Sequence, residues 1–176
     1  DYSILEQDGS IDYFIYKELN ILLEGTDHPA REEDRAAMVV MAKGCVARCT
    51  FCHRFEKGYR MRPVDQIIAH VRHLKEKYNA RFISIADENF GADREAAQEL
   101  ASRLGELDIV WYAGGVRTRT VSRESLAHWK ANGCISVIYG IESGSQTMLN
   151  VMEKNATVEE NLNALKWASE LGLNTI

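Results

Sequence analysis

Short apolar runs alternate with amphipathic stretches along most of this 176-residue chain. Each apolar run has the length of a strand, and in the stretches between them apolar residues recur at three- and four-residue spacing. Strands that alternate with helices of this length predict a parallel sheet built from right-handed crossovers. The chain is therefore expected to adopt an α/β fold.

The apolar runs also locate the expected elements. Strands are predicted at 37–42, 82–86, 109–113 and 134–139, and a fifth strand is expected to begin at 173–176. Helices are predicted at 63–78, 93–107, 122–131 and 157–172. The last helix is expected to turn four side chains inward, namely Val158, Leu162, Leu165 and Ala168.

Composition limits the kind of protein. Residues 1–36 are mixed and polar with no firm element, so they are interpreted as a lead-in or linker, and residues 37–176 as one core domain. A hydrophobic content of 45% is sufficient for a sizeable core. The net charge of −5 argues against a broad nucleic-acid surface, and no apolar run has the length of a membrane span.

Three cysteines, Cys45, Cys49 and Cys52, follow the first predicted strand within one short loop. Cysteine is the usual ligand of iron–sulfur clusters. The loop can supply three of the four ligands of a four-iron cluster, which leaves one iron open for another ligand. An open position distinguishes catalytic from structural zinc sites, and the same reasoning predicts a reactive metal centre here.

Zinc and disulfides are the alternatives for these thiols. His53 could provide a fourth zinc ligand, but it is adjacent to Cys52, and a zinc ribbon needs a second C-x-x-C pair that the chain lacks. Four cysteines are few for a disulfide scaffold, and reduced ligand thiols fit a cytoplasmic location. Cys134 stands in an apolar run and is expected to be a small core residue.

Polar and glycine-rich motifs follow the other predicted strands. Asp87–Phe90 follows the second strand, Gly114, Gly115 and Arg117 follow the third, and Gly140–Gly144 follows the fourth. Ligands of parallel sheets gather at the carboxyl ends of the strands. These motifs and the cysteine loop are therefore expected to converge on one edge of the sheet.

The stretch Gly44–Cys52, with Phe51 just before the third cysteine, closely resembles the cluster loop of radical S-adenosylmethionine (SAM) enzymes. The resemblance covers about residues 37–176. It implies a partial (β/α)6 radical SAM barrel, truncated here after about four and a half βα units. An isolated fragment of this kind would expose a parallel edge and is expected to be poorly soluble.

The resemblance implies a [4Fe-4S] cluster held by Cys45, Cys49 and Cys52, whose open iron chelates the amino and carboxylate groups of SAM. An electron from the cluster then cleaves a carbon–sulfur bond of SAM, and the resulting 5′-deoxyadenosyl radical attacks the substrate. A small-molecule substrate and an electron donor such as flavodoxin or ferredoxin are implied as partners. Cobalamin, held by a domain outside this chain, is implied for the branch of the family discussed below.

The resemblance also assigns contacts to SAM after the second and third strands. Asp87 or Glu88 would receive the SAM ammonium group, because a carboxylate suits an ammonium. The alternative is an acidic cluster at a helix N-terminus. Arg117 would meet the SAM carboxylate, with a buried structural ion pair as the alternative.

The segment after the fourth strand, Gly140–Ser145, strongly resembles the branch that contains cobalamin-dependent enzymes and methylthiotransferases. Glu142 or Ser143 would contact the ribose or amino acid end of SAM, and the alternative is a strand-ending turn. Phe51 would lie by the adenine, or would simply anchor its loop.

These inferences favour a radical SAM enzyme core associated with cobalamin. The expected reaction is methyl transfer, or a related radical reaction, on a small metabolite. A methylthiotransferase acting on tRNA or protein is the second enzymatic interpretation. A non-catalytic metal-binding α/β module is the alternative from another class.

Overall fold

The computed structural model describes residues 2–16, 31–53 and 58–176. The strands are β1 Ile15–Tyr16, β2 Arg35–Val39, β3 Ala42–Cys45, β4 Gly58–Met61, β5 Ala80–Ile85, β6 Val110–Val116, β7 Cys134–Tyr139 and β8 Asn174–Thr175. The helices are α1 Ser3–Gln7, α2 Ile11–Phe14, α3 Val64–Tyr78, α4 Arg94–Glu106, α5 Arg123–Ala131, α6 Gln146–Val151 and α7 Val158–Glu170, with a 3-10 turn at Thr118–Thr120.

The main sheet has six strands in the order β1-β2-β5-β6-β7-β8. β1 runs antiparallel to β2, and all the other neighbours are parallel. The predicted α/β fold with a parallel sheet is therefore confirmed. Over the described residues this sheet is open rather than closed into a barrel.

The prediction of one strand across 37–42 is wrong. β2 ends at Val39, and Ala42 begins β3, which pairs with β4 in a separate antiparallel hairpin. Asp87, which lies further along the chain, causes this break between β2 and β3. Its carboxylate accepts hydrogen bonds from the backbone N–H groups of Met41 and Ala42 at 2.8 and 3.0 Å. A side chain thus takes the place of ladder partners and redirects the chain into the cysteine hairpin.

The lead-in segment, for which the sequence predicted no firm element, contains α1, α2 and the edge strand β1. It packs on α3, where the Tyr2 hydroxyl lies 2.8 Å from His70 Nε2 and the Tyr78 hydroxyl donates to Glu6 Oε1 at 2.7 Å. Residues 17–30 of this segment fall outside the described residues.

The last helix, α7, begins at a capping box in which the Thr157 hydroxyl accepts from the N–H of Glu160. Its buried stripe consists of Asn161, Ala164 and Ala168. Leu162, predicted to face inward, is 63% exposed. Asn161 occupies the buried face instead because its amide oxygen accepts a hydrogen bond from the Thr118 hydroxyl at 2.8 Å.

The helices pack on one face of the sheet and form the main core with the strands, including Ile83, Trp111 and Val137. The other face carries a smaller apolar layer of Ala36, Phe82, Val110 and Ile135, against which Tyr16 packs. In the part of the chain that the structure describes, no helix combines the length and the apolar character needed to cross a bilayer.

Candidate cofactor site at the carboxyl edge of the sheet

The cysteine loop presents three free thiols. Cys45 and Cys49 are half-buried and Cys52 is exposed. Across the described ranges no three His, Cys, Asp or Glu side chains converge as metal ligands. The donor set still fits an iron–sulfur cluster, because three thiols lie within one loop and the N–H of Ala47 donates to Cys45 Sγ at 3.4 Å.

Cys134 belongs to a different environment. It is 1% exposed in β7, and its thiol donates to the carbonyl of Ser136 at 3.4 Å. Burial raises the pKa of the Cys134 thiol to about 12. Cys134 is thus a core residue, as the sequence predicted, and its thiol stays protonated. It is separate from the three thiols of the cysteine loop.

Asp87 fastens the beginning of the cysteine hairpin. Its side chain is buried, and one carboxylate oxygen accepts the two backbone hydrogen bonds from Met41 and Ala42 described above. Burial raises the pKa of Asp87, and the two hydrogen bonds oppose that rise. The other oxygen, Oδ2, is buried with no hydrogen-bond partner in the described structure.

Glu88 points to the cysteine loop itself. The residue is exposed, and its Oε1 accepts from the N–H of Gly44, the residue before Cys45, at 3.3 Å. A close approach of β6 supports this segment, because a Cβ at Gly115 would overlap the Asp87 carbonyl oxygen and the backbone there has φ +67°. Gly115, which lies within β6 rather than after it as the sequence predicted, therefore allows the Asp87–Glu88 segment to pack closely against this strand.

Lys154 is a site residue that the sequence analysis missed. Its side chain is only 8% exposed, and Nζ lies 2.8 Å from Glu142 Oε1. The same Nζ lies 5.8 Å from the centre of the Phe51 ring, within cation–π range. No local pattern marks this lysine, and lysines are rarely buried, so nothing in the sequence separated it from a surface residue.

Gly140 leaves room for this ion pair. A Cβ at that position would lie 2.8 Å from Lys154 Nζ and 2.9 Å from Glu142 Oε1. Glu142 itself has a left-handed backbone, with φ +62°. Gly140, directly after β7, therefore provides the space in which the Lys154 and Glu142 side chains pack.

Arg117 holds the turn that contains Lys154. Its guanidinium is buried and donates to the carbonyl of Lys154 and, at 3.5 Å, to that of Asn155. Arg119 donates to the Asn155 carbonyl at 2.7 Å, and the N–H of Thr50 donates to the Met152 carbonyl at 2.9 Å. The turn is thereby tied both to the third strand and to the cysteine loop.

Ser143 takes part in a tight turn after β7. Its hydroxyl accepts from the N–H of Ser145 at 3.1 Å, and its carbonyl accepts from the Asn161 amide at 3.4 Å. Ser145 in turn caps α6 by accepting from the N–H of Met148. These contacts fix how the chain leaves the sheet and turns back to Lys154.

The predicted site residues thus divide into two groups. In the first group, Phe51 and Glu142 each contact the unpredicted Lys154 through their side chains. In the second group the side chains of Asp87, Glu88, Arg117 and Ser143 hydrogen-bond to backbone groups, and Glu88 is the exposed member beside the cysteine loop.

Comparison with known proteins identifies the family of the chain. The model of the radical SAM superfamily matches residues 39–176, and the chain belongs to this superfamily of enzymes. The cofactors of the superfamily are a [4Fe-4S] cluster and SAM.

Two curated relatives similar to this chain are named as methyltransferases. The chain is 29% identical over 144 residues to an uncharacterised methyltransferase of Pyrococcus horikoshii, covering 79% of this chain and 31% of that protein. It is 28% identical to the cytidylyl-2-hydroxyethylphosphonate methyltransferase of Streptomyces wedmorensis, covering 79% of this chain and 27% of that protein. The chain therefore spans less than a third of the length of these curated relatives.

Among solved structures, the cobalamin-dependent S-adenosylmethionine radical enzyme OxsB superimposes with a TM-score of 0.71 at 24% identity. The match covers 81% of this chain and 23% of that one. It shows that the two share the fold of the matched region.

Proposed function

We propose that this chain is the cofactor-binding core of a cobalamin-associated radical SAM methyltransferase acting on a small metabolite. One observation carries the proposal: Phe51, in the loop of three free thiols, contacts the buried Lys154, whose ammonium pairs with Glu142. The methyltransferase names of the two relatives above support the reaction class.

Cys45, Cys49 and Cys52 would hold the cluster. When bound, it supplies the electron that breaks the sulfonium carbon–sulfur bond of SAM. The N–H of Ala47 already donates to Cys45 Sγ, and hydrogen bonds to cluster sulfurs tune the reduction potential. The thiol of Cys134 takes no part, because it is buried and protonated.

Glu88 is the better partner for the SAM ammonium group. The Glu88 carboxylate is exposed beside Gly44. In Asp87, by contrast, one carboxylate oxygen accepts hydrogen bonds from two backbone N–H groups and the other oxygen is buried. A hydrogen bond between two charged groups is stronger than a neutral one. Asp87 then acts on SAM only indirectly, by setting the path of the hairpin that leads to Cys45.

Lys154 is the better partner for the SAM carboxylate. Arg117, which the sequence suggested for this role, has its guanidinium on the carbonyls of Lys154 and Asn155. The Lys154 ammonium forms an ion pair with Glu142 next to the Phe51 ring. A positive charge therefore lies at the edge of the cysteine loop in a partly desolvated position. Attraction between charges is stronger there than in bulk water.

The remaining contacts follow from the same geometry. Glu142 would orient Lys154 and offer its second oxygen to the ribose or the amino acid end of SAM. Phe51, 53% exposed, offers a flat apolar surface to the adenine. Ser143 and Arg117 would act on SAM only through the turns that they hold.

Metal analysis of the intact protein, purified and reconstituted without oxygen, tests the cluster. We expect about four irons and four sulfides per chain, lost in Cys45→Ala, Cys49→Ala and Cys52→Ala and kept in Cys134→Ala. Stoichiometric zinc without charge-transfer absorbance would contradict the proposal.

Cobalamin content tests the choice of branch. We expect the intact protein to bind cobalamin and to pass a labelled methyl group from SAM to it. An intact protein with a cluster and SAM cleavage but no affinity for cobalamin would favour the methylthiotransferase interpretation instead.

A further inference from the structure

A groove of about 650 Å³ lies beside the cysteine loop. One wall is formed by residues 46–48, which lie between the first two cysteines, and the other by the 3-10 turn and the segment 149–155. The charged residues of its described lining are Arg48, Arg117, Arg119 and Glu153. Small-molecule sites in proteins have volumes of about 300–1,000 Å³, so the groove is large enough for a metabolite.

The three arginines of the groove have N–H donors to spare. Arg48 is exposed and forms no ion pair or hydrogen bond with any described residue. Arg119 is also exposed, and it donates to the carbonyl of Asn155 at 2.7 Å. Arg117 donates to the carbonyls of Lys154 and Asn155, but its Nε–H is buried with no partner in the described structure. A buried donor without an acceptor is costly, and a bound anion would remove that cost.

Three guanidinium groups around one groove suit a dianion. A phosphate monoester carries about −1.5 to −2 charges near pH 7 and has three strong acceptor oxygens, whereas a carboxylate carries one charge. The planar fork of arginine matches the geometry of phosphate oxygens. We propose that this groove binds the phosphate group of a small phosphorylated metabolite, which is the substrate of the enzyme. The inference rests on the proposed function, because it assumes that the reaction takes place at a cluster beside the groove.

Position and charge distinguish this ligand from SAM and from RNA. The carboxylate of SAM is proposed to pair with Lys154, and the described lining of the groove does not include that residue. The three arginines therefore remain for a second ligand. An RNA strand needs a basic surface that extends along its backbone. This chain has a net charge of −5 and a single groove-sized group of arginines, which favours one phosphate.

A phosphate in this groove would hold the substrate close to the cofactors. Residues 46–48 connect Cys45 to Cys49, so a phosphate bound by Arg48 would lie beside the proposed cluster. Val46, 60% exposed, offers an apolar contact to the rest of the metabolite. Glu153, the one carboxylate of the described lining, would repel the phosphate and direct it toward the arginines.

Inorganic phosphate is the probe, and isothermal titration at constant ionic strength measures its affinity for the intact, reconstituted protein. Arg48→Gln and Arg119→Gln should each weaken phosphate binding by more than about fivefold, because each removes charge-assisted hydrogen bonds. Both variants should bind SAM as the wild type does. Arg72→Gln, the same change at an exposed position of α3, is the matched control and should bind phosphate normally. Arg119 lies outside the cysteine loop, so its variant separates phosphate binding from any disturbance of the cluster.

Wild-type phosphate affinity in both arginine variants would overturn the proposal. A matching loss of SAM affinity would also overturn it, because the arginines would then serve the SAM carboxylate. Acetate that binds as tightly as phosphate would indicate a carboxylate site instead. A short single-stranded RNA that binds far more tightly than phosphate, and does so through Arg48, would replace the metabolite with RNA. A protein that cleaves no SAM with dithionite would refute the proposed function, and the phosphate titration would still decide the anion site.

Discussion

Lys154 Nζ lies 2.8 Å from Glu142 Oε1, with the lysine side chain 8% exposed and the glutamate side chain 33% exposed. Burial of a lysine is costly unless its charge is paired, and here the partner comes from the turn after the fourth parallel strand. Phe51 connects this pair to the cysteine loop. The site therefore has a lysine ammonium, paired with a carboxylate, beside the Phe51 ring of the cysteine loop.

Replacing Lys154 with Met removes the charge and keeps most of the volume. We expect the affinity for SAM to fall by more than about tenfold, because truncating one member of a desolvated charge pair costs about 2–5 kcal/mol. Iron content should not change. Lys166→Met, at a side chain 71% exposed on α7, is the control and should bind SAM as the wild type does. Unchanged SAM affinity in Lys154→Met would remove this lysine from the site.

Glu88 and Asp87 should respond differently to mutation. Glu88→Gln is expected to weaken SAM binding by more than about tenfold with little effect on stability, because its carboxylate is exposed beside the loop. Asp87→Ala leaves the N–H groups of Met41 and Ala42 without their acceptor and should cost about 1–3 kcal/mol of unfolding free energy. Isothermal titration with SAM and urea denaturation measure the two effects. A stable Asp87→Ala variant would show that the hairpin does not depend on this carboxylate.

Glu142→Gln keeps the shape of the side chain and removes the charge that pairs with Lys154. We expect SAM binding to weaken by more than about tenfold while the iron content is retained. Glu159→Gln, in the exposed first turn of α7, is the matched control. Loss of iron in Glu142→Gln would mean that the residue supports the cysteine loop rather than SAM.

The five parallel strands of the described residues, apart from the end of the first, and the cysteine loop could be predicted from the sequence, because apolar runs and thiol spacing are local patterns. The break after Val39 could not, since its cause is the Asp87 carboxylate 48 residues after the break. The buried position of Asn161 depends in the same way on Thr118. Lys154 escaped prediction because only tertiary contacts distinguish it from an exposed lysine.

Gly115 should be intolerant of a side chain. A Cβ there would overlap the Asp87 carbonyl oxygen, and the backbone has a positive φ that favours glycine. We expect Gly115→Ala to cost about 2–4 kcal/mol of unfolding free energy in urea denaturation, and to weaken SAM binding through the shifted Asp87–Glu88 segment. Gly144→Ala meets no atom within 4 Å and should be neutral. Equal stability of the two variants would contradict the close approach of β6.

Cys134 should differ from the loop cysteines in its access to thiol reagents, because it is buried in β7. Its thiol pKa is raised by burial to about 12, so it stays protonated at pH 8. Iodoacetamide should modify Cys45, Cys49 and Cys52 in the cluster-free native protein and spare Cys134, as peptide mass spectrometry would reveal. The buried neutral thiol stabilises the fold below its ordinary pKa of 9.0, and this contribution should be lost as the pH rises from about 9 to about 12. Rapid labelling of Cys134 at pH 8 would contradict its place in the core.

A cluster held by Cys45, Cys49 and Cys52 is proposed to bind SAM at its open iron and to cleave it. The most direct measurement is a titration of SAM into the reduced, reconstituted intact protein, followed by the electron paramagnetic resonance signal of the cluster and an assay for 5′-deoxyadenosine. We expect SAM to change the signal and 5′-deoxyadenosine to form under dithionite. If SAM leaves the signal unchanged and no 5′-deoxyadenosine forms, the cluster is structural or purely electron-carrying and the proposed function is wrong.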